Sequence, residues 1–478
     1  MSLKIYNTFT GKKEEFKPIK QGEAGMYVCG VTLYDRCHLG HARAGVVFDF
    51  VFRSLSYLGY KATYVRNFTD VDDKIINRAN QRGISTGELV EENLKLFYED
   101  MDALFLKRPT FEPRATKYID AMQKMIAKLI DKGLAYQVGG DVFYSVSSFR
   151  EYGKLSKKNT NDLMEGARVE VNEAKRNPLD FALWKDAKPG EPKWDSPWGE
   201  GRPGWHIECS AMGREILGET FDIHGGGRDL IFPHHENEIA QSHGASGKPP
   251  VNFWMHNGFV NINKEKMSKS LGNFFTIKDV LEKFDPEAVR LYLLSTHYRS
   301  PIDFADSYLK EAETHLNRLY MAAVRAEKVL DGKVGEMPEK TRSAFITALE
   351  DDFNSAAALA VLNDAANGVN VLCDSLEKNR DEKKISELAD LYAGFKEIGG
   401  VLGILNRKPA DYMANIKAKR LSESGMTGAE IEELIEKRTA ARKAKNFAEA
   451  DQIRDALAEK GIELMDSPGG TTWTAKIL

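Results

Sequence analysis

The chain has no run of eighteen apolar residues, so no membrane-spanning helix is read from it and no membrane partner is expected. An excess of one charge is also missing: 67 Lys and Arg stand against 71 Asp and Glu, a net −4. Any contact with nucleic acid must therefore be local. Cysteine is scarce, with only Cys29, Cys37, Cys209 and Cys373 in 478 residues. That excludes a disulfide framework, and the lack of any C-x-x-C pair excludes a zinc ribbon. Cys37 and Cys373 read as small buried hydrophobes. There is no internal repeat and no long low-complexity tract. The opening residues, Met1-Ser2-Leu3-Lys4-Ile5-Tyr6-Asn7, lack the apolar core and cleavage site of a secretory signal, and a cytoplasmic protein is expected.

What is present is enough chain for two to four domains. Met26-Tyr27-Val28-Cys29 reads as a buried strand, residues 39 to 58 as an amphipathic helix, and Ala62-Thr63-Tyr64-Val65 as the next strand. Strand, helix and strand make a βαβ unit, which predicts a Rossmann-type parallel sheet. From 117 to 203 the pattern breaks into a helix near 121–132, a glycine-turned hairpin over 136–144, and an irregular Pro/Gly/Trp-rich stretch from 188 to 205. This reads as an insertion between two halves of a catalytic domain, 1–116 and 204–250. A region over 251–308 carries a lysine-rich loop, a helical bundle covers 309–406, and a small mixed α/β domain closes the chain over 420–478.

Two short motifs carry the first chemical signal. His38-Leu39-Gly40-His41 lies at the turn from the first strand into its helix, where backbone N–H groups form an anion site and two imidazoles can donate to phosphate. Gly40 allows close approach of a nucleotide. Taken alone, two histidines that merely cap a helix explain the motif as well. Downstream, Lys266-Met267-Ser268-Lys269-Ser270 is a basic loop whose ammonium groups suit charge developing on phosphates. Together, in this order, the pair resembles the two signatures of class I aminoacyl-tRNA synthetases.

A second constellation involves possible metal ligands. Cys29, Cys209, His234 and Glu238 offer two thiolates, an imidazole and a carboxylate, with His234 and Glu238 at i and i+4 on one helix face. His235 is expected to point about 100° away. Spacing leaves open whether these four residues meet. Asp222-Ile223-His224-Gly225-Gly226-Gly227-Arg228-Asp229-Leu230, Arg202-Pro203-Gly204-Trp205-His206-Ile207-Glu208-Cys209 and Asn67-Phe68-Thr69-Asp70-Val71-Asp72-Asp73-Lys74 resemble the cysteinyl-tRNA synthetases. The likeness runs over essentially the whole chain, with Leu39 standing where that family often has isoleucine. It implies Zn2+ on Cys29, Cys209, His234 and Glu238, one ion per chain. It also implies ATP with Mg2+ at His38, Gly40, His41 and Lys269, with catalytic roles for His38, His41, Lys266 and Lys269. Trp205 and His224 would wall the amino-acid pocket, and Asp229 would take the ammonium of L-cysteine.

Near the C-terminus, Arg438, Arg442 and Lys445 recur at i, i+4 and i+7, with Phe447 following. On pattern alone this is a solvated charged helix. The resemblance implies a tRNA-binding role for the 309–406 bundle and an anticodon-reading domain in which Arg442, Phe447, Asp451 and Asp466 touch tRNA(Cys). A monomer is expected. Two other readings share the motifs: a ligase joining cysteine to a small amine, which has no use for the basic tail, and a non-catalytic paralogue, which would have lost His38, His41 or Lys269.

Overall fold

A computed structural model describes residues 2–158, 174–262, 265–266, 275–467 and 470–475. The second lysine signature is only touched by this range: Lys266 ends a two-residue strand, and Lys269 lies outside the described residues. The chain divides into two compact units. One contains residues 1–306, 343–360 and 401–403, and the other 307–342, 361–400 and 404–478.

The first unit is built on a four-stranded parallel sheet. Strand β1 (Glu23–Thr32) leads through helix α1 (Leu39–Tyr57) to β2 (Lys61–Thr69). Later come helix α2 (Trp205–Leu217), β3 (Phe221–Gly227), helix α3 (Glu236–Ser246) and β4 (Val251–Asn257). The spatial order is β4-β3-β1-β2, every neighbour parallel. The sheet thus runs on to Asn257, past the residue-250 boundary read from the sequence. β1 and β3 are adjacent, yet the chain leaves β1 toward β2 on the opposite side. Their carboxyl ends therefore border a topological switch point, where open α/β sheets hold ligands.

Local sequence explains these elements. Strands covered on both faces need near-continuous apolar runs, and Met26, Tyr27 and Val28 are all buried. On β3 the glycine run has a packing reason: a Cβ on Gly225 would lie 2.3 Å from the ring of Phe48, so its absence lets α1 sit against the sheet. Between the two halves stands an antiparallel sheet of Ala135–Val138, Asp141–Tyr144, Phe181–Asp186 and Gly201–Pro203. The first pair is the expected hairpin. The last strand, Gly201–Pro203, arises in the stretch that reads as irregular, and it orders by pairing with Phe181–Asp186, whose Trp184 is fully buried.

In the second unit, nearly all of helix Asp306–Leu330 and most of helices Ser355–Lys378 and Glu382–Leu402 carry the bundle. By length and hydropathy alone Ser355–Lys378 could cross a bilayer. However, Leu362, Ala365, Ala366, Val369, Cys373 and Leu376 are buried at the 3–4 spacing of a bundle helix. Pro409–Glu423 joins it through Tyr412, buried, stacked on Tyr320 and donating to Asn317 Oδ1 at 2.6 Å. The chain ends in helices Gly428–Lys443 and Phe447–Glu459 and an antiparallel hairpin of Ile462–Ser467 with Gly470–Ala475. Ile431, Ile435, Leu457 and Ile462 form its small core.

Candidate active site and metal centre

His38 is the N-cap residue of α1. Its Nδ1 accepts from the backbone N–H of Gly40 at 3.0 Å, and the backbone N–H of His38 donates to Nδ1 of His41 at 3.2 Å. The two rings stack with centroids 3.7 Å apart. This is a capping box made by imidazoles, so the helix-capping explanation holds as a description of the local structure. It does not compete with the chemical one. A ring that accepts at Nδ1 carries its proton on Nε2, and that nitrogen is then a donor.

The turn before α1 also anchors the lysine loop. The backbone of His38 bridges Thr276, Leu39 N–H donates to Phe275 O at 3.2 Å, and Ile277 N–H donates to Cys37 O at 3.0 Å. The far end of the loop, 275–277, is therefore tied to the first signature.

Alongside lies a cavity of about 330 Å³. Its lining includes Cys29, His38, Gly40 and His41, together with Lys74, Trp205 and Asp229. Trp205, at the first position of α2, stacks on His234 at 4.2 Å. Asp229 is exposed, on the short turn Arg228–Leu230 that follows β3. His224 is not part of this lining. It is buried behind Cys29, stacked on Trp254 at 4.6 Å, with Nε2 3.4 Å from Cys29 Sγ.

Cys29, Cys209, His234 and Glu238 converge, their donor atoms within 4.8 Å of one another. Cys29 Sγ lies 3.6 Å from Cys209 Sγ and 3.4 Å from Glu238 Oε1, while His234 Nε2 lies 3.1 Å from Glu238 Oε1. Zinc–sulfur bonds of about 2.3 Å at tetrahedral angles demand a sulfur–sulfur edge of about 3.7 Å, so the donors are spaced to hold such an ion. The electrostatics agree. Burial drives Glu238 well above the usual carboxylate range, and burial and the Cys209 sulfur drive Cys29 well above the usual thiol range. Burial also raises Cys209, but hydrogen bonds with Cys29 and His234 outweigh it and bring that thiol down to about 7. Among the described residues, the ion-pair partners of Glu238 are all histidines. A divalent cation at the centre removes the cost of these buried donors.

His235 departs from the expected direction. Its Nε2 is 3.3 Å from Cys29 Sγ, and Cys29, His224, His235 and Glu238 form a second possible ligand set. The reason is local: helix α3 begins only at Glu236, and residues Ile231–His235 form a wider turn with Phe232 out of helical geometry. The 100° step therefore does not apply at position 235. His235 Nδ1 lies 2.8 Å from His256 Nε2, whose Nδ1 lies 2.8 Å from Thr8 Oγ1. His234 Nδ1 lies 2.9 Å from His206 Nδ1. Outer partners of this kind orient ligating imidazoles. Sequence reasoning passed over His206, His256 and Lys74. Lys74 sits inside a quoted motif, but only the fold shows that it faces the cavity.

The C-terminal residues are arranged differently from the sequence reading. Arg438 is buried and grips Asp466 through two bonds of 2.8 and 2.9 Å, and Arg442 adds a third at 2.8 Å. The helix ends at Lys443, and Lys445 lies beyond it in a left-handed conformation. The three cations therefore do not form one exposed stripe: one is internal and one is off the helix. Phe447 is 62% exposed, enough for a base to stack on it, and Asp451 is exposed beside Arg454.

The comparisons with known proteins identify the family. Residues 15–314 match the family described as tRNA synthetases class I (C) catalytic domain. Residues 344–406 match the DALR domain, and 426–473 the cysteinyl-tRNA ligase anticodon binding domain. Methionyl-tRNA synthetase of Mycobacterium tuberculosis superposes with a TM-score of 0.59 at 16% identity, over 82% of this chain and 94% of that one. The fold is thus that of the class I aminoacyl-tRNA synthetases. Cysteine–tRNA ligases of Syntrophotalea carbinolica and a Geobacter species are 54% and 55% identical, each over all of both chains. The chain belongs to the cysteine–tRNA ligase family.

Proposed function

We propose that the chain activates L-cysteine with ATP and Mg2+ and transfers it to the 3′ end of tRNA(Cys). The observation that carries this reading is the double position of Cys29, which is both a donor in the metal-type cluster and part of the lining of the cavity that His38, Gly40 and His41 border.

In the first step the substrate carboxylate attacks the α-phosphate in line, forming the acyl phosphate and releasing pyrophosphate. The Nε2–H groups of His38 and His41, with Lys266 and Lys269 of the loop, stabilise charge on the phosphates. Asp229 takes the ammonium, and Trp205 closes the pocket beside Lys74. In the second step the terminal ribose hydroxyl attacks the activated carbonyl and AMP leaves. Juxtaposition supplies much of the rate.

Zn2+ held by Cys29, Cys209, His234 and Glu238 would bind the substrate thiolate and disfavour serine, whose hydroxyl is a harder and less acidic donor. A site built around one strong interaction rejects the analogue lacking it without an editing domain. His224 and His235 would then order the ligands from behind. In the tail, Arg442, Phe447, Asp451 and Asp466 are proposed to meet the anticodon, with Arg438 holding Asp466 in place. The chain is proposed to act as a cytoplasmic monomer.

Zinc analysis of wild type beside Cys209→Ser tests the metal assignment. One zinc per chain in the wild type and loss in the variant is expected, and equal zinc in both refutes the site. Lys269→Ala should depress cysteine-dependent ATP–pyrophosphate exchange, and unchanged exchange would remove that residue from the reaction.

A further inference from the structure

A second opening reaches the metal-type cluster from the amino ends of β3 and β4, where a narrow cleft of about 10 Å³ is lined at its inner end by Cys209, His224 and Glu238. Its outer end is formed by Gly218, Glu219 and Ser246. Chain direction sets this course. β3 runs inward from Phe221 to His224, and β4 from Val251 to Trp254. Helices α2 and α3 run outward: Cys209 leads past Arg214 to Gly218, and Glu238 leads past Ser242 to Ser246. Positions 238, 242 and 246 recur at i+4 and share one face of α3, and eight helical residues set a depth of about 12 Å. The serines are too small to fill the space, and a Cβ on Gly218 would meet nothing within 4 Å. The cleft has room for about one water at a time.

The two openings share the donors unequally. Cys29 lines the large cavity, whereas Cys209 and Glu238 line the cleft. In the large cavity Trp205 stacks on His234, and Lys74 Nζ stands 6.0 Å from the Trp205 ring. A cation approaching from that side meets a fixed positive charge and an indole over one ligand. The cleft offers oxygens instead. Half-buried Ser242, one turn outward from Glu238, has a hydroxyl with no hydrogen-bond partner among the described residues. At the mouth stands the exposed carboxylate of Glu219, which accepts from Arg214 Nη2 at 2.7 Å and from Lys248 Nζ at 3.3 Å. Carboxylate, hydroxyl, then buried carboxylate and thiol give a cation successive ligands as its water is stripped.

We propose that this cleft is the loading route of the metal centre, by which a divalent cation reaches Glu238 and Cys209 without crossing the substrate cavity. The inference rests on the zinc assignment and adds how the ion arrives. The test follows zinc release from the loaded full-length chain into excess chromogenic chelator, and zinc reuptake by the stripped chain. Ser242→Leu should plug the cleft and slow both rates about tenfold, with one zinc per chain still bound at equilibrium. Cysteine-dependent ATP–pyrophosphate exchange by the loaded variant should stay within about twofold of wild type. Glu219→Lys, at an exposed position that folding tolerates, should slow uptake about threefold at low salt and less at high salt. Faster release with reduced zinc in Ser242→Leu would mean a damaged site and would overturn the route. Unchanged rates in Glu219→Lys would overturn it as well, even if the leucine variant fails to fold. A wild-type chain that binds no zinc would instead overturn the metal assignment.

Discussion

Gly30 follows the cluster's shared donor, Cys29, and occupies a place where no other residue fits. A Cβ there would lie 1.6 Å from the carbonyl oxygen of Asn67 on the neighbouring strand β2. The side chain of Asn67 accepts from Gly30 N–H at 2.8 Å and lies 3.7 Å from Cys209 Sγ, so one asparagine touches both thiol-bearing segments. Gly30→Ala should push β1 and β2 apart, cost about 2–4 kcal/mol of stability and scatter the ligands. The checks are a chemical denaturation curve and zinc content, and a variant with wild-type stability and full zinc would contradict the steric argument. Such a constraint is invisible in sequence, where Gly30 is one glycine among 39.

Among elements, the start of α1 combines capping and chemistry in the same two rings, and a substitution can separate them. Asparagine caps helices as well as any residue, so His38→Asn should keep the cap to within about 0.5 kcal/mol. It removes the Nε2–H donor, and ATP–pyrophosphate exchange should fall roughly a hundredfold. If exchange survives, the histidine is only a cap. The C-terminal hairpin offers a pH test. Hydrogen bonds from Arg438 and Thr471, with Arg442 nearby, hold the Asp466 carboxyl well below its usual range. A depressed carboxylate stabilises the fold at every pH above its unfolded value near 3.8, and that contribution is lost as pH falls below it. The module should therefore keep this pairing through mild acid and loosen only below about pH 4. Arg438→Met should shrink that acid-dependent step, leaving only the part held by Thr471 and Arg442, as followed by limited proteolysis of the tail. The carboxylate is half exposed, so the effect is screened by salt.

For the whole molecule, the natural experiment is removal of the tail. The sequence suggests a cut near Asn406, but Tyr412 is buried against Tyr320 and would be lost with it. A chain ending at Ser424 keeps that stack and removes the region matched to the anticodon binding domain, 426–473. It should retain cysteine-dependent exchange within about twofold and lose about tenfold or more in kcat/KM for tRNA(Cys). A ligase acting on a small amine would lose nothing. That outcome would favour the alternative reading.

Much of the site was legible because its chemistry lies in contiguous motifs whose local geometry follows from short-range rules. His38-Leu39-Gly40-His41 announces a strand-to-helix turn; His234 and Glu238 do meet as their i, i+4 spacing suggests, although His234 lies in the wider turn before α3. Apolar periodicity likewise foretold β1, α1 and β2. Other features depend on groups far apart in sequence. That Cys29 meets Cys209 across 180 residues is decided by the β4-β3-β1-β2 order, which sets the carboxyl end of β1 beside β3 and brings α2 close. The inward turn of His235 depends on a helix that starts two residues late. Arg438 looked like a surface cation and became internal because the closing hairpin delivers Asp466 to it. Residue type and spacing thus determined which chemistry the chain can offer, while tertiary packing decided which donors are buried together and which are already spent on one another.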